Sequence, residues 1–181
     1  MLFYFIRHGE TDANARQMLA GSGVDSPLNS IGHGQALALA HALKTLIPHP
    51  LHRIVASHMI RTRETAEYFA RHLNVPFELH ADWREWHLGE WEGQSTLEFV
   101  DLLLGEGEPK MGESRRVFYA RIEQAWQSVH SDTHPYLIVS HGAVWMALQD
   151  LLKIPRFKVS NCDLVRVESR DGCWRAEILK L

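Results

Sequence analysis

The sequence contains no apolar run that approaches the roughly 20 residues needed to cross a bilayer. It also lacks a basic leader and a small-residue cleavage site, so we expect a cytoplasmic protein with no membrane partner. Basic residues are not in excess, since the formal net charge is -3. A nucleic-acid partner is therefore not predicted, and small-molecule chemistry fits the composition better.

Cysteine is scarce as well, with two residues in the chain. Cys162 and Cys173 flank Asp171-Gly172, a dipeptide typical of a tight hairpin turn. In that hairpin Arg170 faces Cys173, so the sequence predicts two small buried residues rather than a disulfide. The 12 histidines show no metal-ligand spacing, and no metal site is expected.

Alternating strand and helix patterns predict the fold class. Amphipathic patterns indicate helices over residues 31–46, 61–73 and 117–129, with cap candidates at Asn29-Ser30 and Ser114. Short apolar segments indicate strands over residues 3–6, 53–56, 77–79, 136–139, 163–168 and 174–179. This order predicts an α/β fold, a three-layer α/β/α sandwich with a mostly parallel sheet and an antiparallel C-terminal edge.

The chain length predicts one domain over residues 1–181. Its least regular stretch is the segment 93–113, which contains a short helix candidate at Leu97–Leu104. A loop of that length inside a compact domain is usually functional, so we predict a short lid. A surface excursion is the alternative.

Two predicted strands end at a histidine followed by glycine. The first ends at Arg7-His8-Gly9-Glu10 and the fourth at Ser140-His141-Gly142. Open α/β sheets place ligand sites beyond the carboxyl ends of their strands, so the repetition predicts a two-histidine site. The arginine adds a charged planar fork that matches a phosphate or carboxylate, and each glycine lets the backbone approach a bound group or adopt dihedral angles closed to other residues. A scaffold role for either histidine is the alternative.

The order of the motifs resembles the histidine phosphatase superfamily, which includes the cofactor-dependent phosphoglycerate mutases. The resemblance begins at Arg7-His8-Gly9-Glu10-Thr11 with Asn14 and ends at Val139-Ser140-His141-Gly142. Six further blocks lie between these ends in the family's order, at Asp25-Ser26-Pro27-Leu28, Gly32-x-x-Gln35-Ala36, Ser57-x-x-x-Arg61-x-x-x-Thr65-Ala66, Arg84-Glu85, Gly89-x-Trp91-Glu92-Gly93 and Gly112-Glu113-Ser114. The small size and short lid are most similar to the broad-specificity phosphatases and the α-ribazole phosphatases of the family.

The resemblance implies a phosphomonoester hydrolase that works through a phosphohistidine. His8 takes the place of the nucleophile, and Glu85 takes that of the general acid and base. Arg7, Arg61 and His141 complete the catalytic set by stabilising the charge of the phosphoryl group. The implied phosphate-binding residues are Arg7, Asn14, Gly21, Arg61, His141 and Gly142. No metal and no cofactor are implied, and the expected partner is a small phosphomonoester bound by a monomer or homodimer.

Two of these assignments have local competitors. Glu10, Glu90 and Glu92 become alternatives to Glu85 if the alignment of its motif shifts by a few residues. Arg61 stands near other arginines at the start of a predicted helix, where a solvated charged face is the ordinary explanation.

One position departs from the family pattern. The residue before Gly21 often carries a hydroxyl or amide that touches the phosphate, and here it is Ala20. That contact is therefore missing or supplied elsewhere, for example by Ser22 or Gly23.

The interval from Gly93 to Gly112 bears on the choice between phosphatase and mutase. Family mutases hold a second anionic group with a long basic insertion, whereas this interval is short and contains one cation, Lys110. The resemblance therefore favours transfer to water, with a phosphoglycerate mutase-type phosphotransferase as the enzymatic alternative. A phosphate-binding regulatory protein without turnover is a further alternative, although such a protein is expected to have lost its nucleophile or its acid.

Overall fold

One six-stranded sheet forms the centre of the protein in a computed structural model that describes residues 1–98, 105, 107–130 and 134–180. The strands are β1 Leu2–Arg7, β2 Arg53–Ser57, β3 Phe77–His80, β4 Tyr136–Ser140, β5 Leu164–Arg170 and β6 Cys173–Leu179. They lie in the order β3-β2-β4-β1-β5-β6. The first four are parallel, and β5 and β6 are antiparallel, as the sequence predicts.

Helices cover both faces of this sheet. They are α1 Asp12–Ala15, α2 Ser30–Leu46, α3 Ile60–Leu73, α4 Arg115–Gln127 and α5 Gly142–Leu151. Side chains of β1 alternate between the two faces: Tyr4 and Ile6 pack with α2 and α3, whereas Phe3 and Phe5 pack with α4 and α5. The predicted three-layer sandwich is confirmed. None of the helices in the described part of the chain is long and apolar enough to cross a membrane.

All six predicted strands and all three predicted helices are present, with ends that shift by at most two residues. The predicted caps also form. The Asn29 side chain accepts the N–H of Gly32 at 2.8 Å, and the Ser114 hydroxyl accepts the N–H of Val117 at 3.3 Å.

The helix α5 is absent from the sequence prediction. Its N-cap is His141, whose side chain makes no capping hydrogen bond. The helix also shows no clear polar stripe, since half of its ten residues are buried, including Val144, Trp145, Ala147 and Leu148. Its cap comes from a distant part of the chain, because the Ala143 N–H donates to the Glu85 carboxylate at 3.4 Å.

The C-terminal hairpin forms as predicted, with Arg170 opposite Cys173 and a positive φ at both Asp171 and Gly172. Both cysteines are free. Their expected burial is wrong: Cys173 is exposed because it begins the edge strand β6, and Cys162 is only partly buried.

The two ends of the 93–113 segment are fixed separately. Near its start, Ser95 forms an isolated bridge with Met18. At its end, the Glu113 N–H is tied to the body by a backbone hydrogen bond of 2.8 Å. Most of the helix predicted at Leu97–Leu104 lies outside the described residues.

The backbone that follows β1, at Gly9 and Glu10, is in close contact with the backbone of Gly32 at the start of α2. A Cβ on Gly9 would lie 2.7 Å from the carbonyl oxygen of Gly32, and a Cβ on Gly32 would overlap the carbonyl oxygen of Glu10. Side chains do not fit at such distances. At Gly9 the close approach of the protein's own backbone is therefore sufficient to require glycine.

Alanine is expected to have opposite effects at Gly32 and Gly34, which lie two residues apart in α2. Gly32→Ala forces the backbone near Glu10 to move and should lower the free energy of unfolding by about 1–3 kcal/mol. Gly34→Ala should raise it by about 0.5–1 kcal/mol through helix propensity, because nothing else in the described structure lies within 4 Å of its Cβ position. Urea unfolding of both variants tests this, and a Gly32→Ala protein as stable as the wild type would contradict it.

Candidate active site

The parallel pairing of β1 with β4 brings the two histidines of the predicted site together. Arg7 is opposite Ser140 in this ladder, and the His8 N–H donates to the Ser140 carbonyl at 3.0 Å. The ring centroids of His8 and His141 lie 5.2 Å apart. Both side chains are buried, so the two strand ends meet in one enclosed place.

Hydrogen bonds fix the tautomer of His8. Its Nδ1 lies 2.7 Å from the Gly9 carbonyl oxygen, which only accepts, so Nδ1 carries the proton. Its Nε2 accepts the Nε–H of Arg61 at 3.2 Å and therefore holds the lone pair. Burial, followed by the charges of Arg61 and Arg7, holds the pKa of His8 well below its usual value. His8 thus presents an uncharged nitrogen with a lone pair.

His141 is an uncharged ring as well. Burial, followed by the charge of Arg61, lowers its pKa well below the usual value. Its Nε2 lies 3.0 Å from the hydroxyl of Ser57 at the end of β2, and its buried Nδ1 has no hydrogen-bond partner in the described structure. Without a bound anion, His141 therefore offers hydrogen bonding rather than a positive charge.

Arg7 and Arg61 are the buried cations of the site. Arg61 is 2% exposed and donates to the carbonyl of Gly21 at 2.8 Å as well as to His8, so a solvated helix face is the wrong explanation for it. Arg7 donates to the Val159 carbonyl at 3.0 Å, and its buried Nε–H has no partner among the described residues. Two guanidinium groups beside two uncharged rings favour a bound anion.

Glu85 lies at the N-terminus of α5. One carboxylate oxygen accepts the Trp86 N–H at 3.1 Å, and the other accepts the Ala143 N–H at 3.4 Å. Burial lowers the pKa values of Arg7 and Arg61, and the Glu85 carboxylate is the largest opposing influence on both. The carboxylate is therefore within electrostatic range of both cations.

Of the three competing glutamates, Glu90 is exposed, and the other two are committed to other contacts. Glu10 accepts a hydrogen bond from the side chain of Asn29 at 2.9 Å. Glu92 accepts the N–H groups of Gly23 and Leu88, each at 3.0 Å. Both carboxylates hold loops to the body of the protein.

The remaining implied phosphate contacts surround the histidines. Gly142 is the first residue of α5, so its N–H lies at the positive end of the helix, and a Cβ there would lie 3.7 Å from Arg7 Nε. The amide oxygen of Asn14 accepts a hydrogen bond from Asn161 at 3.1 Å. Asn161, to which the sequence assigns no role, also donates to the His8 carbonyl at 2.9 Å and so ties Asn14 to the site.

The backbone N–H groups of Ser22 and Gly23, the two residues suggested to replace the missing contact, are hydrogen-bonded within the protein. The Ser22 N–H donates to the Trp86 carbonyl at 3.0 Å, and the Gly23 N–H donates to Glu92. The Ser22 hydroxyl is therefore the group of these two residues that is left to contact the phosphate in place of residue 20.

Arg121 and Glu113 form a buried ion pair that sequence reasoning misses. Arg121 lies on the apolar stripe of α4, three residues after Phe118 and four before Ala125. A charged residue on such a stripe needs a buried partner, so the sequence alone indicates that Arg121 has one. The sequence does not indicate which residue is the partner, because Glu113 precedes the helix.

The comparisons with known proteins agree with this geometry. The sequence model of the histidine phosphatase superfamily (branch 1) matches residues 3–181. The probable phosphoglycerate mutase GpmB of Escherichia coli O1:K1 is 31% identical over 195 aligned positions, which cover 96% of this chain and 87% of that protein. The chain therefore belongs to the histidine phosphatase superfamily.

Solved structures share the fold over almost the whole chain. A mycobacterial glucosyl-3-phosphoglycerate phosphatase in complex with VO3 gives a TM-score of 0.83 at 26% identity, over 98% of this chain and 97% of that one. The α-ribazole phosphatase of Shigella flexneri gives a TM-score of 0.80 at 23% identity, over 99% of this chain and 96% of that one. This match shows a similar fold and no more. The protein is thus an enzyme of a family with phosphatase-type and mutase-type phosphohistidine chemistry.

Acid should destabilise the protein through its two uncharged histidines. The folded-state pKa values of His8 and His141 are lowered, so below about pH 6.5 the unfolded chain binds protons that the folded chain excludes. Stability is then fully present above about pH 6.5 and falls as the pH drops, by up to about 1.4 kcal/mol per pH unit for each histidine. Urea unfolding from about pH 5 to about pH 7.5 measures this slope.

The variant His141→Asn removes one of these rings and should flatten the pH dependence relative to the wild type. His49→Asn, which removes an exposed histidine, is the matched control. Equal slopes for the wild type and His141→Asn would show that His141 takes up its proton as readily in the folded chain as in the unfolded one.

Proposed function

We propose that the protein is a phosphomonoester hydrolase that forms a phosphohistidine on His8 and uses Glu85 as general acid and base. The observation that carries this proposal is the tautomer of His8, whose Nε2 lone pair lies against a buried guanidinium group. An uncharged nitrogen nucleophile among fixed cations suits attack on an anionic phosphate monoester.

In the first half of the reaction, Nε2 of His8 attacks phosphorus, and the bond to the leaving oxygen breaks. The hydrogen bond from Arg61 to Nε2, 3.2 Å long, passes to a phosphate oxygen as the P–N bond forms. Glu85 enters this half of the reaction as the carboxylic acid and gives its proton to the leaving oxygen. Because the transition state is loose and its charge lies on the non-bridging oxygens, positioning and positive charge account for most of the catalysis.

Two buried polar atoms of the site support the binding of an oxygen anion. Arg7 Nε and His141 Nδ1 are both buried and unbonded within the described structure. A buried polar group without a partner costs about 1–3 kcal/mol, so an oxygen anion that satisfies both atoms is favoured. The N–H of Gly142 at the start of α5 adds a further donor.

In the second half, water completes the cycle. Glu85, now a carboxylate, takes a proton from the water as its oxygen attacks phosphorus. The P–N bond breaks, and its electron pair returns to Nε2 of His8. The two guanidinium groups supply the positive charge throughout, so these steps require no metal ion.

Two observations support water as the acceptor. The interval Gly93–Gly112 contributes one cation, Lys110, and this residue is exposed. A phosphoglycerate mutase has to hold the carboxylate of its substrate and keep water from the phosphohistidine. The likeness to the mycobacterial glucosyl-3-phosphoglycerate phosphatase supports the same choice, while the identity to GpmB makes a mutase the second candidate.

Removal of the His8 imidazole should abolish phosphate release from 4-nitrophenyl phosphate. We expect His8→Ala to lose at least about 10³-fold in rate, because the proposed acceptor of the phosphoryl unit is then absent. The wild-type rate should persist when EDTA is present. An alkali-stable, acid-labile phosphoryl group on the His8 peptide should be trapped from the wild type alone.

The exposed His49→Ala variant controls for loss of a histidine elsewhere. Equal rates for His8→Ala and the wild type would remove the proposed chemistry and favour a phosphate-binding protein without turnover. Loss of activity with EDTA would contradict the metal-independent mechanism.

Product analysis with 3-phosphoglycerate separates the two candidate enzymes. We expect inorganic phosphate and glycerate, since the interval Gly93–Gly112 supplies a single cation, Lys110, for the carboxylate of the substrate. Phosphorus NMR of the reaction mixture resolves both outcomes. Accumulation of 2-phosphoglycerate without inorganic phosphate would establish the mutase and reject the hydrolase.

A further inference from the structure

The side chain of Arg121 binds the backbone of residues 82–85, the turn that carries Glu85. Its guanidinium group is buried and donates to the backbone carbonyls of Asp82 at 2.7 Å, Arg84 at 2.9 Å and Glu85 at 3.3 Å. One side chain therefore gathers three carbonyls within four consecutive residues. These contacts fix the path of the backbone up to the proposed acid.

The Glu113 carboxylate holds Arg121 in this place. Its two oxygens accept the Nε–H and an Nη2–H of Arg121 at 2.9 and 2.6 Å, a bidentate arrangement. Glu113 also contacts the other side of the turn, because its carbonyl accepts the Trp86 indole N–H at 2.6 Å. The residues on both sides of Glu85 are thus bonded to the ion pair.

Stability alone is a weak explanation for this pair. Removing two charges from water offsets most of their attraction, so apolar residues of similar size often stabilise a protein as well. The planar guanidinium group of Arg121 instead fixes the orientation of the backbone around Glu85, since its donors bind the carbonyls and the carboxylate in one geometry. A general acid needs a fixed orientation, because its carboxyl has to lie within hydrogen-bond reach of the leaving oxygen.

We propose that Arg121, held by Glu113, is a positioning residue for Glu85. The inference rests on the proposed function, in which Glu85 protonates the leaving oxygen. The pair then matters for phosphoryl transfer only where the leaving oxygen needs a proton. A residue that merely stabilises the fold would affect all substrates alike.

The test compares two esters by kcat/KM, which reports the steps up to formation of the phosphohistidine. The alkoxide of glycerol 3-phosphate is a poor leaving group that needs protonation, whereas 4-nitrophenolate leaves without it. Arg121→Met should lower kcat/KM for the alkyl ester about 10²-fold, as a misplaced acid does, and for the aryl ester by less than about threefold. Glu85→Gln should show the same selectivity with a loss of about 10²–10⁴-fold on the alkyl ester.

Two further variants sharpen this test. Arg116→Met removes an exposed arginine from the same helix and should leave both values unchanged. Glu113→Gln keeps the shape of the partner, loses its charge and should reproduce the selective loss, so the inference is tested even if Arg121→Met fails to fold.

Equal losses on both esters, or no loss on either in a folded variant, would overturn the positioning role alone. If the wild type hydrolysed neither ester, or if His8→Ala matched it, the proposed function would fail first and the inference would fall with it.

Discussion

The parallel ladder between β1 and β4 is the constraint on which the site depends. It sets Arg7 opposite Ser140, so the residue that follows each strand is a histidine at the same edge of the sheet. A shift of one residue in this register would turn the side chains of one strand to the opposite face and separate the rings. On the other side of β4, β2 delivers Ser57 to the same edge, where it contacts His141.

The polar groups around this edge leave positive charge available for a ligand. The arginines donate to backbone carbonyls, that of Gly21 for Arg61 and that of Val159 for Arg7. A carbonyl satisfies hydrogen bonds without cancelling charge, and the carboxylate of Asp25, which pairs with Arg61 at 3.9 Å, is exposed to solvent. Burial, followed by the charges of the same cations, lowers the pKa values of both imidazoles, so the cations that attract an anion also help to keep the nucleophile uncharged.

The sequence predicts those parts of the fold and of the site that depend on local patterns. Strands with apolar runs, helices with an apolar stripe and caps such as Asn29 are local features, and they predicted the layers of the sandwich. The contacts that it could not predict join distant segments. Helix α5 takes its cap from Glu85, and Arg121 meets a loop that is remote in sequence, so neither local propensity nor spacing indicates them. The sequence predicts burial of Cys173 and does not indicate its exposure, because that exposure depends on which strand forms the edge of the sheet.

The separate anchoring of the 93–113 segment has a consequence for how the chain tolerates change. One end is held at Ser95 and the other at Glu113, which is bonded to Arg121. A difference in chain length between these anchors leaves both in place, and its entropic cost grows only logarithmically with the added residues. The length of this segment can therefore change independently of the contacts that fix the backbone around Glu85. Insertions and deletions between the two anchors can vary the segment while those contacts stay constant.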